Sequence, residues 1–214
     1  MKKDITVSTG NKKLKSTEKV RFLIWNLPAK KTCPFATEHC KKMCYAVKAE
    51  RMYPDCLPCR ERNLKSSMTD SFVDDMKKLI ANRIKYPVYK NAEKIYFRIH
   101  ESGDFYSQTY YDKWVDIATA FPSVLFLAYT KSLKFVLNSK KTRPANLIIR
   151  YSLWDDSPVE DAKKGCAMFP TYTAEKLTGE KVKALGDRYC DCKDCGTCGK
   201  CYNTEVKDIV CEIH

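Results

Sequence analysis

Glycine and proline are scarce in this chain, with 7 and 9 among 214 residues. That argues against a low-complexity segment, and no internal repeat recurs at a fixed period. No run approaches the roughly 18 apolar residues that a bilayer-crossing helix needs, so no membrane partner is expected. The opening MKKDITVSTGNKKLKSTEKV is basic, but no apolar stretch follows it. It does not read as a secretory signal, and the chain is expected to work in a cytoplasm. With 44% hydrophobic and 12% aromatic residues, the chain has enough apolar material for a packed core.

Cysteine is abundant, at 12 residues. In a reducing compartment, clustered thiols serve as metal ligands or redox groups more often than as disulfides. The formal net charge is +13. A strongly basic chain suits nucleic acid, an anionic ligand or an acidic partner, while a Lys-rich solvated surface is the plainer explanation.

The hydrophobic pattern alternates between two kinds of segment. VRFLIW (20–25), EKIYFRIH (93–100), SVLFLAYT (123–130) and ANLIIRYSL (145–153) are short, nearly continuous apolar runs and read as buried strands. Between them lie helical segments. TEHCKKMCYAVKAE (37–50) has Thr37 as a candidate N-cap. DSFVDDMKKLIANRIKY (70–86) carries an apolar stripe of Phe72, Val73, Met76, Leu79, Ile80 and Ile84 behind Asp70 as a cap. QTYYDKWVDIATAF (108–121) stops before Pro122, and KSLKFVLNSKK forms a short helix. Strand and helix in alternation imply a parallel sheet of the α/β class, here an incomplete, TIM-like (β/α) barrel. Residues 1–20 are expected as a basic N-terminal arm and 20–160 as the partial barrel. Residues 160–214 are expected as a cysteine-rich, metal-binding appendage.

In such folds the chemistry sits at the C-terminal ends of the strands. Cys33, Cys40 and Cys44 follow the first strand as C-x6-C-x3-C. With Cys33 in a loop and Cys40 and Cys44 one helical turn apart, the three thiolates can converge. Three thiolates suit a [4Fe–4S] cluster with one iron left open to a small molecule. Zinc is the alternative, although His39 points off the Cys40/Cys44 face. Near the other end, Cys195, Cys198 and Cys201 form the tight C-x2-C-x2-C run that wraps a cluster, with Cys166 as a distant fourth ligand and Gly196 and Gly199 allowing close backbone approach. Cys190 and Cys192 remain spare. Cys56 and Cys59 form a C-x2-C pair that is redox-active, zinc-binding with the spare pair, or merely free. Cys211, in an apolar stretch, reads as a buried hydrophobe.

The second strand ends in RIHESGDF. His100, Glu101 and Asp104 are candidates for orienting a ligand or moving a proton. Ser102 and Gly103 between them, and Thr130, Lys131 and Ser132 after the third strand, are candidates for holding a small, anionic or nucleotide-like ligand. Ser152 and Asp155 would line the same mouth.

NLPAKKTCPFATEHCKKMCYA, RIHESGDF, AYTKS and CGTCGKCY, in this order over residues 20–202, resemble the phage "gene product 88" domain family. That likeness implies a phage or prophage origin, and so a host-cell cytoplasm. The cysteine triplet after the first strand and the Gly-containing acidic motif after the second also resemble, more distantly, the radical S-adenosylmethionine enzymes. Their usual spacing is C-x3-C-x2-C. This resemblance implies a [4Fe–4S] cluster on Cys33, Cys40 and Cys44. It also implies S-adenosylmethionine on the open iron, its methionine end near Ser102–Asp104, and a second, auxiliary cluster at the C-terminus. Two other functions stay open: a zinc-stabilised nucleic-acid-binding protein and a non-catalytic iron–sulfur redox protein.

Overall fold

The computed structural model describes residues 5–191 and 193–212. The first strand, β1 (Val20–Trp25), is followed by a run of helices before the chain re-enters the sheet. These are α1 (Glu38–Lys42), α2 (Tyr45–Met52), α3 (Cys56–Met68), α4 (Phe72–Ile84) and the short α5 (Pro87–Lys90). Strand and helix then alternate through β2 (Lys94–Ile99), α6 (Gln108–Thr119), β3 (Val124–Thr130), α7 (Leu133–Leu137), β4 (Leu147–Leu153), α8 (Val159–Met168) and β5 (Thr171–Glu175). The C-terminal part adds α9 (Gly179–Leu185), β6 (Tyr189–Cys190), α10 (Cys195–Cys198) and β7 (Asp208–Glu212).

The strands form one seven-stranded sheet in the order β1-β2-β3-β4-β5-β7-β6, with every pairing parallel. Neighbours in sequence are neighbours in space through β5, which is the order of a barrel rather than of a doubly wound sheet. The sheet curls into a half-barrel, as the strand–helix alternation implied.

Side chains alternate across the sheet because successive Cβ atoms point to opposite faces. Leu23, Trp25, Phe97, Ile99, Phe126, Ile149 and Tyr151 face outward into the main core. There they meet Phe72, Met76 and Ile80 of α4 and Tyr110, Trp114 and Ile117 of α6. The other face carries Phe22, Ile24, Tyr96, Leu127 and Ile148. It is covered not by the long helices between the strands but by Leu14, Tyr202, Cys195 and Cys201. The cysteine-rich segment therefore plugs the inside of the half-barrel.

Three sequence expectations change here. Residues 160–214 contribute β5, β6 and β7 to the common sheet, so they continue the barrel instead of standing apart. The basic arm is pinned where it is described: Ile5, Val7 and Leu14 are buried, and Ser8 and Ile24 exchange backbone hydrogen bonds of 3.0 and 2.8 Å. The helix expected over 37–50 is two helices. Thr37 does cap the first, its hydroxyl accepting from the Cys40 N–H at 3.3 Å. The chain then breaks at Met43, and Cys44 is extended (φ −66°, ψ 101°) as the residue before α2. Cys40 and Cys44 thus do not share one helical face.

A candidate metal centre at the mouth of the half-barrel

The loop after β1 and the loop after β2 are stitched together before either carries chemistry. Asn26, directly after β1, accepts from the backbone N–H groups of Glu101 and Ser102 at 2.8 and 3.0 Å. Leu27 N–H donates to Ser102 O at 2.9 Å, and the Ser102 hydroxyl donates to Leu27 O at 2.8 Å. Gly103 sits at φ +91°, where a Cβ would stand 2.7 Å from both Leu27 Cβ and Thr32 Oγ1. Only glycine allows the two loops to touch there. Ser102 and Gly103 thus shape the mouth through the loop they build.

Asp104 comes next and is buried. Its Oδ1 accepts from Phe105 N–H at 2.7 Å and from the Thr130 hydroxyl at 2.5 Å, and its Oδ2 from Lys131 N–H at 3.0 Å. Burial raises its carboxyl above the usual range, against those hydrogen bonds and the nearby Ser132 hydroxyl. Lys131 is also buried, its Nζ donating to Ser152 O at 2.6 Å and lying 5.3 Å from the centre of the Trp154 ring. Burial pulls its ammonium down to about 8, while the charges of Cys40, Asp104, Asp156 and Cys33 oppose that shift.

The thiols meet this pair. Cys33, Cys40 and Cys44 are half-buried and carry no disulfide. Burial pushes the Cys33 thiol up to about 12, with Asp104, Cys40 and Cys44 adding to the effect. Cys40 is raised by burial and drawn back by the Lys131 charge. Three thiols, one carboxylate and one ammonium from the ends of β1, β2 and β3 therefore share one electrostatic environment. Among the described residues, however, the one trio of potential ligand atoms mutually within 4.8 Å is that of His39, Asp155 and Asp156. Tetrahedral zinc–thiolate bonds of 2.3 Å place neighbouring sulfurs about 3.8 Å apart. The Cys33/Cys40/Cys44 trio is wider than one ion accepts.

The other candidates are placed as follows. His100 does not face the mouth. It is buried, at φ 64°, with its ring against Phe105 and its Nε2 2.8 Å from the Tyr110 hydroxyl. Burial, helped by the Arg98 charge, lowers it to about 3, so it is a neutral core residue rather than a proton carrier at the mouth. Glu101 reaches the Asn11 and Asn26 amides, and its carbonyl accepts from Tyr45 at 2.5 Å. Thr130 supports Asp104 directly, and Ser132 N–H donates to Thr130 Oγ1 at 2.8 Å. His39 Nδ1 pairs with Asp155 Oδ1 at 2.7 Å on the rim. Cys56 and Cys59 begin α3 on the outside, half-buried. Cys211 is buried in β7. Cys192 lies outside the described residues.

At the C-terminal cluster, Cys195, Cys198 and Cys201 line one cavity together with Cys190. Cys166 is not part of it. That thiol is exposed on α8, beside Tyr151, whose ring faces the opposite side of the sheet.

Some positioning residues were not evident from sequence. Asn26 is one, although its place at a strand end was a signal. The Arg60–Glu50 ion pair is another: at 2.8 Å and largely buried, it holds α3 to α2, and Glu50 also accepts from Ala29 N–H at 2.8 Å. That pair fixes the loop that carries Cys33.

The comparisons with known proteins agree with one another. The chain is 28% identical over 188 residues to the "Gene 88 protein" of Mycobacterium phage L5, covering 78% of this chain and 77% of that one. It is 28% identical over 189 residues to the "Gene 88 protein" of Mycobacterium phage D29, covering 78% of each. No solved structure matches it. The model of the family described as gene product 88 matches residues 5–204, and the chain belongs to that phage family.

Proposed function

We propose that this chain is an iron–sulfur protein that binds a [4Fe–4S] cluster through Cys33, Cys40 and Cys44 and acts on a small anionic ligand at the open end of the half-barrel. The observation that carries this reading is the meeting of three wide-set thiols with Asp104 and Lys131 at the ends of three adjacent parallel strands. A cluster held by three cysteines supplies one open iron as Lewis acid or one-electron donor. Lys131, with Ser152 holding its Nζ, is the cation placed to meet a carboxylate or phosphate. Asp104 is committed to Phe105, Thr130 and Lys131 and keeps the ends of β2 and β3 in register with the thiols. Tyr45, exposed and hydrogen-bonded to the Glu101 carbonyl, offers an aromatic wall beside Cys44. S-adenosylmethionine, with both an amino and a carboxylate group, is the first ligand to test. A host-cell cytoplasm fits both the phage family and the thiol chemistry. The structure has no helix long and apolar enough to cross a membrane among the described residues.

The test is purification without oxygen, followed by iron and sulfide analysis and a visible spectrum. The expected result is a brown protein with a broad band near about 400 nm from thiolate-bound iron. The Cys33→Ala protein should lose about four irons and four sulfides per chain relative to wild type. Wild-type protein holding only zinc, and colourless despite exclusion of oxygen, overturns the reading. It would favour a zinc-stabilised protein that binds nucleic acid through its basic surface, with affinity falling steeply with salt.

A further inference from the structure

A second group of thiols lies on the inner face of the sheet. Cys190 of β6 and Cys195, Cys198 and Cys201 around α10 line a cavity of about 30 Å³. A cavity needs about 10–15 Å³ to hold one water, so this one has room for an ion. Beneath the thiols lie Arg98 and Tyr129. The remaining chemistry of the cavity indicates the ligand.

Charge is the first indication. Arg150 is fully buried and donates from Nε to Cys201 O at 2.8 Å, and from its other nitrogens to Lys200 O at 3.1 Å and Asn203 O at 2.8 Å. Arg98, half-buried, lies 3.6 Å over the Tyr129 ring and donates to His100 O at 3.1 Å. Among the described residues neither guanidinium forms an ion pair. The two carboxylates at the cavity's rim are engaged elsewhere. Asp194 accepts from the Gly196 and Thr197 N–H groups and the Thr197 hydroxyl, and Asp191 pairs with Lys193. Carbonyl dipoles satisfy hydrogen bonds but do not neutralise a buried cation, which is costly without an anion.

A hydroxyl is the second indication. Tyr202 stacks on Tyr96 with ring centres 3.9 Å apart and is only 7% exposed. Its hydroxyl is buried in the wall of the cavity and has no hydrogen-bond partner among the described residues. Such a group costs about 1–3 kcal/mol unless something accepts from it.

We propose that Cys190, Cys195, Cys198 and Cys201 hold a second metal centre as four thiolates, separate from the mouth. No three of these sulfurs lie mutually within 4.8 Å, so the site is set for a cluster and not for one ion. An oxidised four-iron cluster on four thiolates carries two negative charges. It supplies the anion that Arg98 and Arg150 lack and sulfur acceptors for Tyr202. All-thiolate coordination selects an iron–sulfur cluster over harder metals. On binding, each thiol gives its proton to solvent and its lone pair to the metal, and no electron changes hands. Cys166 takes no part.

The test compares wild type, Cys33→Ala, Cys166→Ser and Cys198→Ser, each full length and prepared without oxygen. Zinc, iron and sulfide are counted per chain. Cys198→Ser should lose one centre, read as about four irons with four sulfides. Cys166→Ser and Cys33→Ala should keep it. X-ray absorption on the Cys33→Ala protein gives a readout that does not depend on the Cys198 variant folding. It should show four sulfurs at about 2.3 Å from the metal. The proposal is overturned if Cys33→Ala protein holds less than about 0.1 metal centre per chain, or if Cys166→Ser loses as much as Cys198→Ser. Loss of the mouth centre alone would leave this second count unchanged, so the two readings fail separately.

Discussion

The Thr130 hydroxyl donates to Asp104 Oδ1 at 2.5 Å and ties the end of β3 to the loop after β2. With the Phe105 and Lys131 N–H groups on the same carboxylate, Asp104 accepts three protein hydrogen bonds while buried. Asp104→Asn replaces one accepting oxygen with a donor that faces donors. It should cost about 2 kcal/mol, since hydrogen bonds to charged groups contribute about 1.5–3. In a chain of this size that lowers Tm by roughly 4–8 °C in thermal unfolding. An unchanged Tm would remove Asp104 from its organising place.

Gly103→Ala tests the contact between the two loops. The new methyl would stand 2.7 Å from Leu27 Cβ and Thr32 Oγ1 at a backbone angle that side chains avoid. Destabilisation of about 2 kcal/mol or more is expected from strain and overpacking together. Denaturant unfolding reads it directly, and a neutral result would mean the loops are not packed as described.

The pH dependence of stability should carry the mark of His100. The unfolded chain takes up this proton near pH 6.5, while the folded chain, burying a neutral ring, does so only at about 3. Stability therefore falls as pH drops from about 6.5 towards 3, with a slope from this group of up to about 1.4 kcal/mol per pH unit. His100→Gln should flatten that slope. If the variant follows wild type across this range, other groups govern the acid limb.

Arg150→Met leaves the carbonyls of Lys200, Cys201 and Asn203 without their donors. A loss of about 3 kcal/mol is expected, as for the removal of other buried charged partners. Limited proteolysis should then cut within about residues 186–207 before the rest of the chain. Arg150→Lys keeps the charge but not the planar fork, so it should rescue only part of the loss. Equal protease resistance in all three proteins would show that the plug does not depend on this side chain.

Much of the barrel was legible because its strands are short apolar runs with helices between them. β1 matches the VRFLIW run residue for residue, and β2, β3 and β4 fall inside the stretches that periodicity marks. What hid the rest was local. Periodicity could not show the break at Met43–Cys44, because a helical pattern continues through it. The polar helix α3, with Arg60 and Asn63 buried among its charged residues, carries no apolar stripe to reveal it. At the mouth, the strand-end rule located Asp104 and Lys131. It did not reveal that His100, one residue past β2, turns at positive φ into the outer core. The pairing of Cys190 with the C-terminal run depends on β6 joining β7 at the far edge of the sheet, a long-range contact with no sequence signature.

The plug inside the half-barrel also sets an order on synthesis. Phe22, Ile24, Tyr96, Leu127 and Ile148 line a face whose cover includes Tyr202. Until the ribosome has released the segment through residue 202, that face stays partly bare and Arg150 waits for the carbonyls that will surround it. Domains fold as they emerge, but here the inner half cannot close early. The nascent chain therefore exposes a sticky apolar trough for most of its translation. Cys195 and Cys201 arrive with Tyr202 to seal it.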